Sequence, residues 1–168
     1  MGADKAVLLK APAQFMMEPF LVASALASEI KQRNYNLILA GKQAVDDDNL
    51  QVPAMLARLL SLPFASLIVK LEINGANAII HREIEGGAEV LEMTLPAVLT
   101  AQKGLNEPRY PSLKGIMAAK KKPMDEKDAV ITAQPSLEII KMEYPPSRPA
   151  GRIVGKGVEA VDELLRLL

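Results

Sequence analysis

The chain has 168 residues, 49% of them hydrophobic, and its 20 basic residues balance 20 acidic ones. That length suits one domain with a real core, and the balance leaves no global field to steer the protein toward nucleic acid or an anionic membrane. The lack of cysteine excludes disulfides, thiol catalysis, cysteine zinc sites and conventional iron–sulfur clusters, and no run approaches the roughly 20 apolar residues of a membrane span.

Met1-Gly2-Ala3-Asp4-Lys5 has no basic region leading into a long apolar core, so it reads as no secretory signal. Residues 6–9 form a short apolar run that predicts a buried strand. From Phe20 to Arg33, Val22, Ala23, Leu26 and Ile30 recur at helical spacing, with Asn34 as the stop. Leu37 to Ala40 predicts a second buried strand, and strand–helix–strand at this spacing implies a right-handed parallel crossover. A helix over Val52 to Leu60 follows, with Pro53 in its first turn, where the missing N–H costs little. Ser66 to Ile73 alternates as a half-buried strand. Asn74-Gly75 marks a hairpin turn, Ala78 to Glu85 the returning strand, Gly86-Gly87 another turn, and Val90 to Leu95 a further strand. Ala97 to Thr100 reads as one more buried strand. After a polar loop over 101–111, Ser112 is placed to cap a helix from Leu113 to about Lys121, which Pro123 stops. Leu137 to Tyr144 reads as extended, residues 145–157 as a Pro- and Gly-rich connector. Val158, Val161, Leu164, Leu165 and Leu168 then stripe a final helix too short to be stable undocked.

The segment with most chemical content is Gly41-Lys42-Gln43-Ala44-Val45-Asp46-Asp47-Asp48-Asn49, between a strand and a helix start. Strand, loop and helix N-terminus present free backbone N–H groups to a phosphate. Three carboxylates would repel that phosphate if all faced it. The acids are therefore expected to turn elsewhere, capping the next helix and bonding backbone donors in the loop, or contacting a ribose. Hard-oxygen coordination of a divalent cation is the competing role, without the alternating spacing of a calcium loop. The single histidine, His81, falls in a predicted strand and has a structural or surface role as its default reading. Lys120–Lys122 fits a solvated helix end or a binding patch. Leu113, Ile116 and Met117 fit core packing by default, or an exposed partner anchor.

Several segments taken together resemble the electron transfer flavoprotein beta subunit. They are Leu39-Ala40-Gly41-Lys42-Gln43-Ala44-Val45-Asp46-Asp47-Asp48, Phe64-Ala65-Ser66, Arg82-Glu83-Ile84-Glu85-Gly86-Gly87 and Leu95-Pro96-Ala97-Val98. The longest runs from Leu105-Asn106-Glu107-Pro108-Arg109-Tyr110-Pro111-Ser112-Leu113 through Ile116-Met117 to Lys120-Lys121-Lys122-Pro123. The resemblance implies an α/β, Rossmann-like three-layer fold of the adenine-nucleotide-binding type, with an antiparallel hairpin excursion and a C-terminal helical arm. Residues 1–144 would form the nucleotide domain, including a docking loop at 105–123, and 145–168 a linker and arm. It implies no redox chemistry and no catalytic residue of the chain's own, but an electron-carrier role beside an alpha subunit that holds most of the FAD contacts. Electrons would pass from acyl-CoA dehydrogenases and related donors to a quinone oxidoreductase, in the bacterial cytoplasm or, in a eukaryote, the mitochondrial matrix.

By the same resemblance, Gly41, Lys42, Gln43, Ala44, Val45, Asp46, Asp47, Asp48, Asn49, Gln51 and Val52 belong to a pocket for a structural AMP. Tyr110, Leu113, Ile116 and Met117 dock the dehydrogenase, with Leu113 as anchor, and Glu83 lies near the mobile flavin domain. The expected residents are AMP and a partner-held FAD, with no metal, no nucleic acid and no membrane insertion. The sequence departs from the family pattern in three places. Met1 to Lys5 matches an internal stretch of the family, so the first strands of the nucleotide fold are expected to be missing. Leu50-Gln51-Val52-Pro53 stands where many members read Asn-Gln-Thr-Gly. Asp47-Asp48-Asn49 favours the AMP-type branch over the electron-bifurcating branch, which carries a second FAD, although Gln51-Val52 occurs in both. A nucleotide-binding fragment without redox partners is the reading from another class.

Overall fold

The computed structural model describes residues 2–13, 15, 18–148 and 150–168. Two compact units divide the chain, Met1–Leu137 and Glu138–Leu168.

The first unit is an α/β domain. Its strands are β1 (Ala6–Lys10), β2 (Leu37–Gly41), β3 (Phe64–Asn74), β4 (Asn77–Ile84), β5 (Gly87–Thr94), β6 (Ala97–Ala101) and β7 (Met124–Asp128). Its helices are α1 (Pro19–Ile30), α2 (Val52–Leu60) and α3 (Leu113–Ala119). A five-stranded sheet runs in the order β2-β6-β3-β4-β5. β2 and β3 are both parallel to the central β6, whose residues Ala97 to Thr100 are all buried. β3, β4 and β5 continue as an antiparallel meander. Parallel strands buried on both faces read as continuous apolar runs, and a meander with one solvated face reads as alternation. The central β6 is such a buried run, whereas β2, expected to be buried as well, has no buried residue and leaves Leu39 54% exposed.

The junction between the halves lies at Leu67. Its φ is +60°, and the register slips on both sides of the strand there, between Ala65 and Ile68 against β6 and between Ile68 and Lys70 against β4. The Leu67 N–H leaves the ladder and donates to the buried Thr100 hydroxyl at 3.0 Å. A bulge of this kind bends a strand, and here it hands β3 from a parallel neighbour to an antiparallel one.

Two clusters make the core. Ala65, Ile68, Ala78, Ile80, Ala97 and Leu99 form one, with Leu37 and Leu105 packed against it. Ala23, Ala27 and Leu56 form the other, joining α1 and α2 over Ile38 of β2. Full burial of a side chain such as Ile68, Ile80 or Leu99 contributes about 1.5–3 kcal/mol. Pro19 and Pro53 both occupy a first helical turn. The α2 helix ends on Ser61 in the left-handed region (φ 55°), with Leu62 N–H donating to Ala57 O at 2.9 Å and Ser61 N–H to Arg58 O at 3.1 Å. That is a Schellman closure with serine in the position usually held by glycine.

One expectation needs correction. β1 and β2 are not ladder partners. β1 pairs in parallel with β7 in a separate two-stranded sheet, while β2 pairs with β6. β7 itself, Met-Asp-Glu-Lys-Asp, carries no apolar alternation and gives no strand signal. It is held by the β1 edge and by charges. Lys127 pairs with the buried Glu29 of α1, which also accepts from Arg33 Nε at 2.9 Å. Residues 137–144 are in no strand.

In the second unit a 3-10 turn over Val158–Ala160 leads into α4 (Val161–Leu167). Arg152 bonds Glu163 at 3.3 Å. No residue of α4 is buried, so the stripe Val158, Val161, Leu164, Leu165 and Leu168 stays exposed.

Candidate functional site

Gly41 closes β2 beside Ala101, the last residue of β6. Two neighbouring parallel strands therefore end together, and each leads through a loop to a helix. Ligands of open α/β sheets gather at this carboxyl end.

The first loop, residues 42–51, folds on itself. Asp48 and Leu50 adopt left-handed backbone, at φ 55° and 56°. Asp48 N–H donates to Ala44 O at 3.1 Å, and the Gln43 amide donates to the Asp48 carboxylate. Asp46 Oδ1 accepts the Asp47 N–H at 3.1 Å, and Asp47 Oδ1 accepts the Asn49 N–H at 3.3 Å. The Gln51 amide donates to Asn49 Oδ1 at 2.9 Å. These carboxylates and amides hold the loop's own turn. They do not cap α2 as expected: its N-cap is Gln51, which makes no side-chain capping bond.

A cavity of about 290 Å³ opens between this loop and the start of α2. Of the eleven residues assigned to the nucleotide from sequence, Gly41, Lys42, Gln43, Ala44, Asp47, Asn49, Gln51 and Val52 line it, while Val45, Asp46 and Asp48 do not. Val45 is 98% exposed. Of the three acids, only Asp47 is thus among the lining residues. Ala40, Leu50 and Pro53 also line it. Leu50 lies between two assigned residues and has left-handed backbone. At the first turn of α2, Val52 and Ala54 have N–H groups without intrahelical acceptors, while Pro53 has none to offer. The first helical bond is Met55 N–H to Gln51 O, at 3.0 Å. The donor chemistry of the lining suits a phosphate-bearing ligand: the Val52 N–H, the Lys42 ammonium and the remaining amide valences of Gln43, Asn49 and Gln51.

The second loop, after β6, behaves differently. Ser112 caps α3 through its Oγ, which accepts the Gly115 N–H at 3.1 Å, as its sequence position predicts. Nothing on α3 is buried. Tyr110 is 97% exposed, Leu113 77% and Met117 56%, with Ile116 less so. Helical spacing fits a buried and an exposed stripe equally well. The structure selects the exposed one over the default of core packing.

Glu83 lies exposed near the end of β4, opposite Ala88. His81 sits half-buried between Lys70 and Val90 in the ladder. Among the described residues, no group of three or more His, Asp or Glu side chains is placed to hold a metal ion. Two buried acids that sequence reasoning did not single out, Glu18 and Glu29, have structural partners. Glu18 is held below the ordinary carboxylate range by the Ser136 hydroxyl and then by the Ser136 N–H, at 2.9 Å. Glu29 is held below it first by Lys127, against the opposing effect of burial, and then by Arg33.

A family model described as "Electron transfer flavoprotein domain" matches residues 1–132. The electron transfer flavoprotein subunit beta of Bacillus subtilis is 42% identical over 177 residues, covering all of this chain and 68% of the relative. That of Syntrophomonas wolfei is 44% identical over 151 residues, covering 90% of this chain and 59% of the relative. The mitochondrial subunit beta of Arabidopsis thaliana is 39% identical over 170 residues, covering 98% and 66%. The chain thus spans about two thirds of the length of the curated relatives it matches. With motif, fold and similarity in agreement over most of its residues, this chain belongs to the electron transfer flavoprotein family and is most like its beta subunits.

Proposed function

We propose that the chain serves as electron transfer flavoprotein beta subunit, or as the part of one that it spans. It pairs with an alpha subunit that carries FAD and holds a structural AMP in the cavity between the 42–51 loop and α2. It offers α3 to acyl-CoA dehydrogenases and related donors, and the assembly delivers the electrons to a quinone oxidoreductase. The observation that carries the nucleotide role is the cavity itself. Eight of the residues that match the family's nucleotide motif line it, Asp47 being the only one of the three acids among them. The FAD supplies the redox chemistry when bound. This chain's residues contribute backbone donors, a cation and a docking surface. Glu83, exposed near the end of β4, would face the flavin-bearing partner. No helix among the described residues is long and apolar enough to cross a membrane.

Co-expression with an electron transfer flavoprotein alpha subunit tests this reading. The purified heterodimer should release one FAD and one AMP per dimer on denaturation. Two FAD and no AMP would place the chain in the bifurcating branch instead. A chain that stays alone and binds AMP without a flavoprotein partner would overturn the electron-carrier role.

A further inference from the structure

We propose that Glu18 is a positioning residue: it moors the segment 129–137 along α1, and this mooring fixes the point from which the second unit departs and opens on its own, ahead of the domain. The proposal depends neither on the nucleotide nor on the partners named above.

The observation is where the buried polar groups lie and what meets them. Among the described residues, four polar or charged side chains are buried, and three of them, Glu18, Ser24 and Glu29, sit on α1 or at its N-cap. Each is met by the chain that follows α3. Glu29 pairs with Lys127. The Ser24 hydroxyl lies 3.4 Å from that of Thr132. Glu18 Oε2 accepts the Ser136 N–H at 2.9 Å, and Oε1 accepts the Ser136 hydroxyl. The partners advance from 127 to 136 as α1 is followed back from 29 to 18, so the segment runs along the helix in the reverse direction. Its other end is fixed by the Ala129 N–H, which donates to Lys10 O at 2.8 Å. The first unit ends at Leu137, so the Glu18 bonds are made just where the second unit begins.

What holds the segment decides how it opens. None of residues 129–137 is buried, and none belongs to the buried core clusters. It is held by hydrogen bonds, which on opening are largely replaced by bonds to water. Opening also returns an ionised carboxylate to solvent instead of exposing apolar surface. The Ser136 hydroxyl, and then its N–H, keep the Glu18 carboxyl below the ordinary carboxylate range, so the charged form does the mooring. A segment with few buried apolar contacts belongs to the low-stability end of a fold and opens without the rest. Opening frees about 30 Å of extended chain between β7 and the second unit.

Hydrogen exchange on the full chain tests this. The lack of cysteine also allows a pair of spin labels, at Arg58→Cys on the exposed side of α2 and Glu143→Cys in the second unit. Glu18→Ala should lower the protection of the Ser136 and Leu137 amides about tenfold while α1 and β6 keep theirs, and should broaden the distribution of label-to-label distances. Glu18→Gln, which keeps an acceptor, should restore part of both. Ser136→Ala removes only an exposed hydroxyl. It should have a smaller effect of the same kind, and it decides the matter if Glu18→Ala does not fold. Ser136 protection unaltered in Glu18→Ala would show that something else holds the segment. Protection lost throughout α1, with a lowered melting temperature in both alanine variants, would make Glu18 a residue of the fold alone. A distance distribution indifferent to every variant would mean that the second unit takes its origin elsewhere. Any one of these three results overturns the proposal.

Discussion

The loops that leave β2 and β6 start one strand apart and end in opposite designs. Gly41 and Ala101 are ladder partners. From Gly41 the chain curls inward, satisfies its acids with its own amides, and delivers α2 with Pro53, Leu56 and Ala57 buried. From Ala101 it runs outward through prolines and delivers a capped helix with no buried residue. A concave loop beside a packed helix start suits a small anionic ligand. A convex, cationic helix with apolar tips suits a protein. The burial of the following helix is what distinguishes the two loops.

The sharpest way to break that distinction is a matched pair of leucines. Leu56→Ala on α2 removes a side chain that is 4% exposed in the α1–α2 cluster. It should cost about 2–5 kcal/mol, read as a lowered urea midpoint. Leu113→Ala on α3 should change stability by no more than about 0.5 kcal/mol. It should nevertheless slow electron acceptance from the dehydrogenase about thirtyfold at subsaturating concentration, the scale of an interface hot spot. Equal stability losses at the two positions would show that α3 is packed in solution, and the contrast between the loops would collapse.

A smaller effect is expected at Pro53, where the nucleotide side can be improved. Pro53→Ala returns an N–H to the first turn of α2. A hydrogen bond to a charged group contributes about 1.5–3 kcal/mol, so AMP should bind the heterodimer roughly tenfold more tightly by calorimetry. The same change should lower stability by about 0.4–1 kcal/mol through the freed unfolded chain, more if the loss of the buried ring is felt. Unaltered AMP affinity would mean that the first turn of α2 does not face the phosphate.

The regular elements were legible where burial writes a period into the sequence. The alternation of Leu67, Val69, Leu71 and Ile73 with Ile68, Lys70 and Glu72 forecast the meander, and the uniform run at 97–100 forecast the central strand. What it concealed was the bulge: the Leu67 backbone turns left-handed, its N–H goes to Thr100, and Ile68, which the alternation sets on the side of Lys70 and Glu72, is the residue buried in the core with Leu71 against it. The strand β7 was illegible because its stabilisation is not periodic. Four of its five residues are charged, and it is held by backbone pairing to β1 and by one buried carboxylate. At the candidate site, the motif marked a loop that lines a cavity beside the start of α2. It could not say which of Asp46, Asp47 and Asp48 turns inward, because that depends on two left-handed residues that composition does not flag.

The least expected effect, on the acid side, bears on how independent the two loops are. The docking segment is bracketed by β6 and β7, and β7 is fastened to α1 by Lys127 on Glu29, with Arg33 bonding Glu29 and lying 3.6 Å from Asp125. Lys127 foremost, then Arg33, holds the Glu29 carboxyl below its ordinary value near 4.5. A carboxylate whose folded value is depressed contributes stability in full above that ordinary value, and loses it as pH falls through the lowered folded one. Glu29→Gln removes this contribution. The variant should therefore be less stable than wild type at neutral pH, and the gap should narrow as pH drops below about 4.5. Hydrogen exchange should locate the loss, with protection falling at residues 124–128 and in α3 while residues 42–51 keep theirs. Loss spread equally over both loops would mean that the nucleotide cavity and the docking helix open as one cooperative unit, and that occupancy of one is felt at the other.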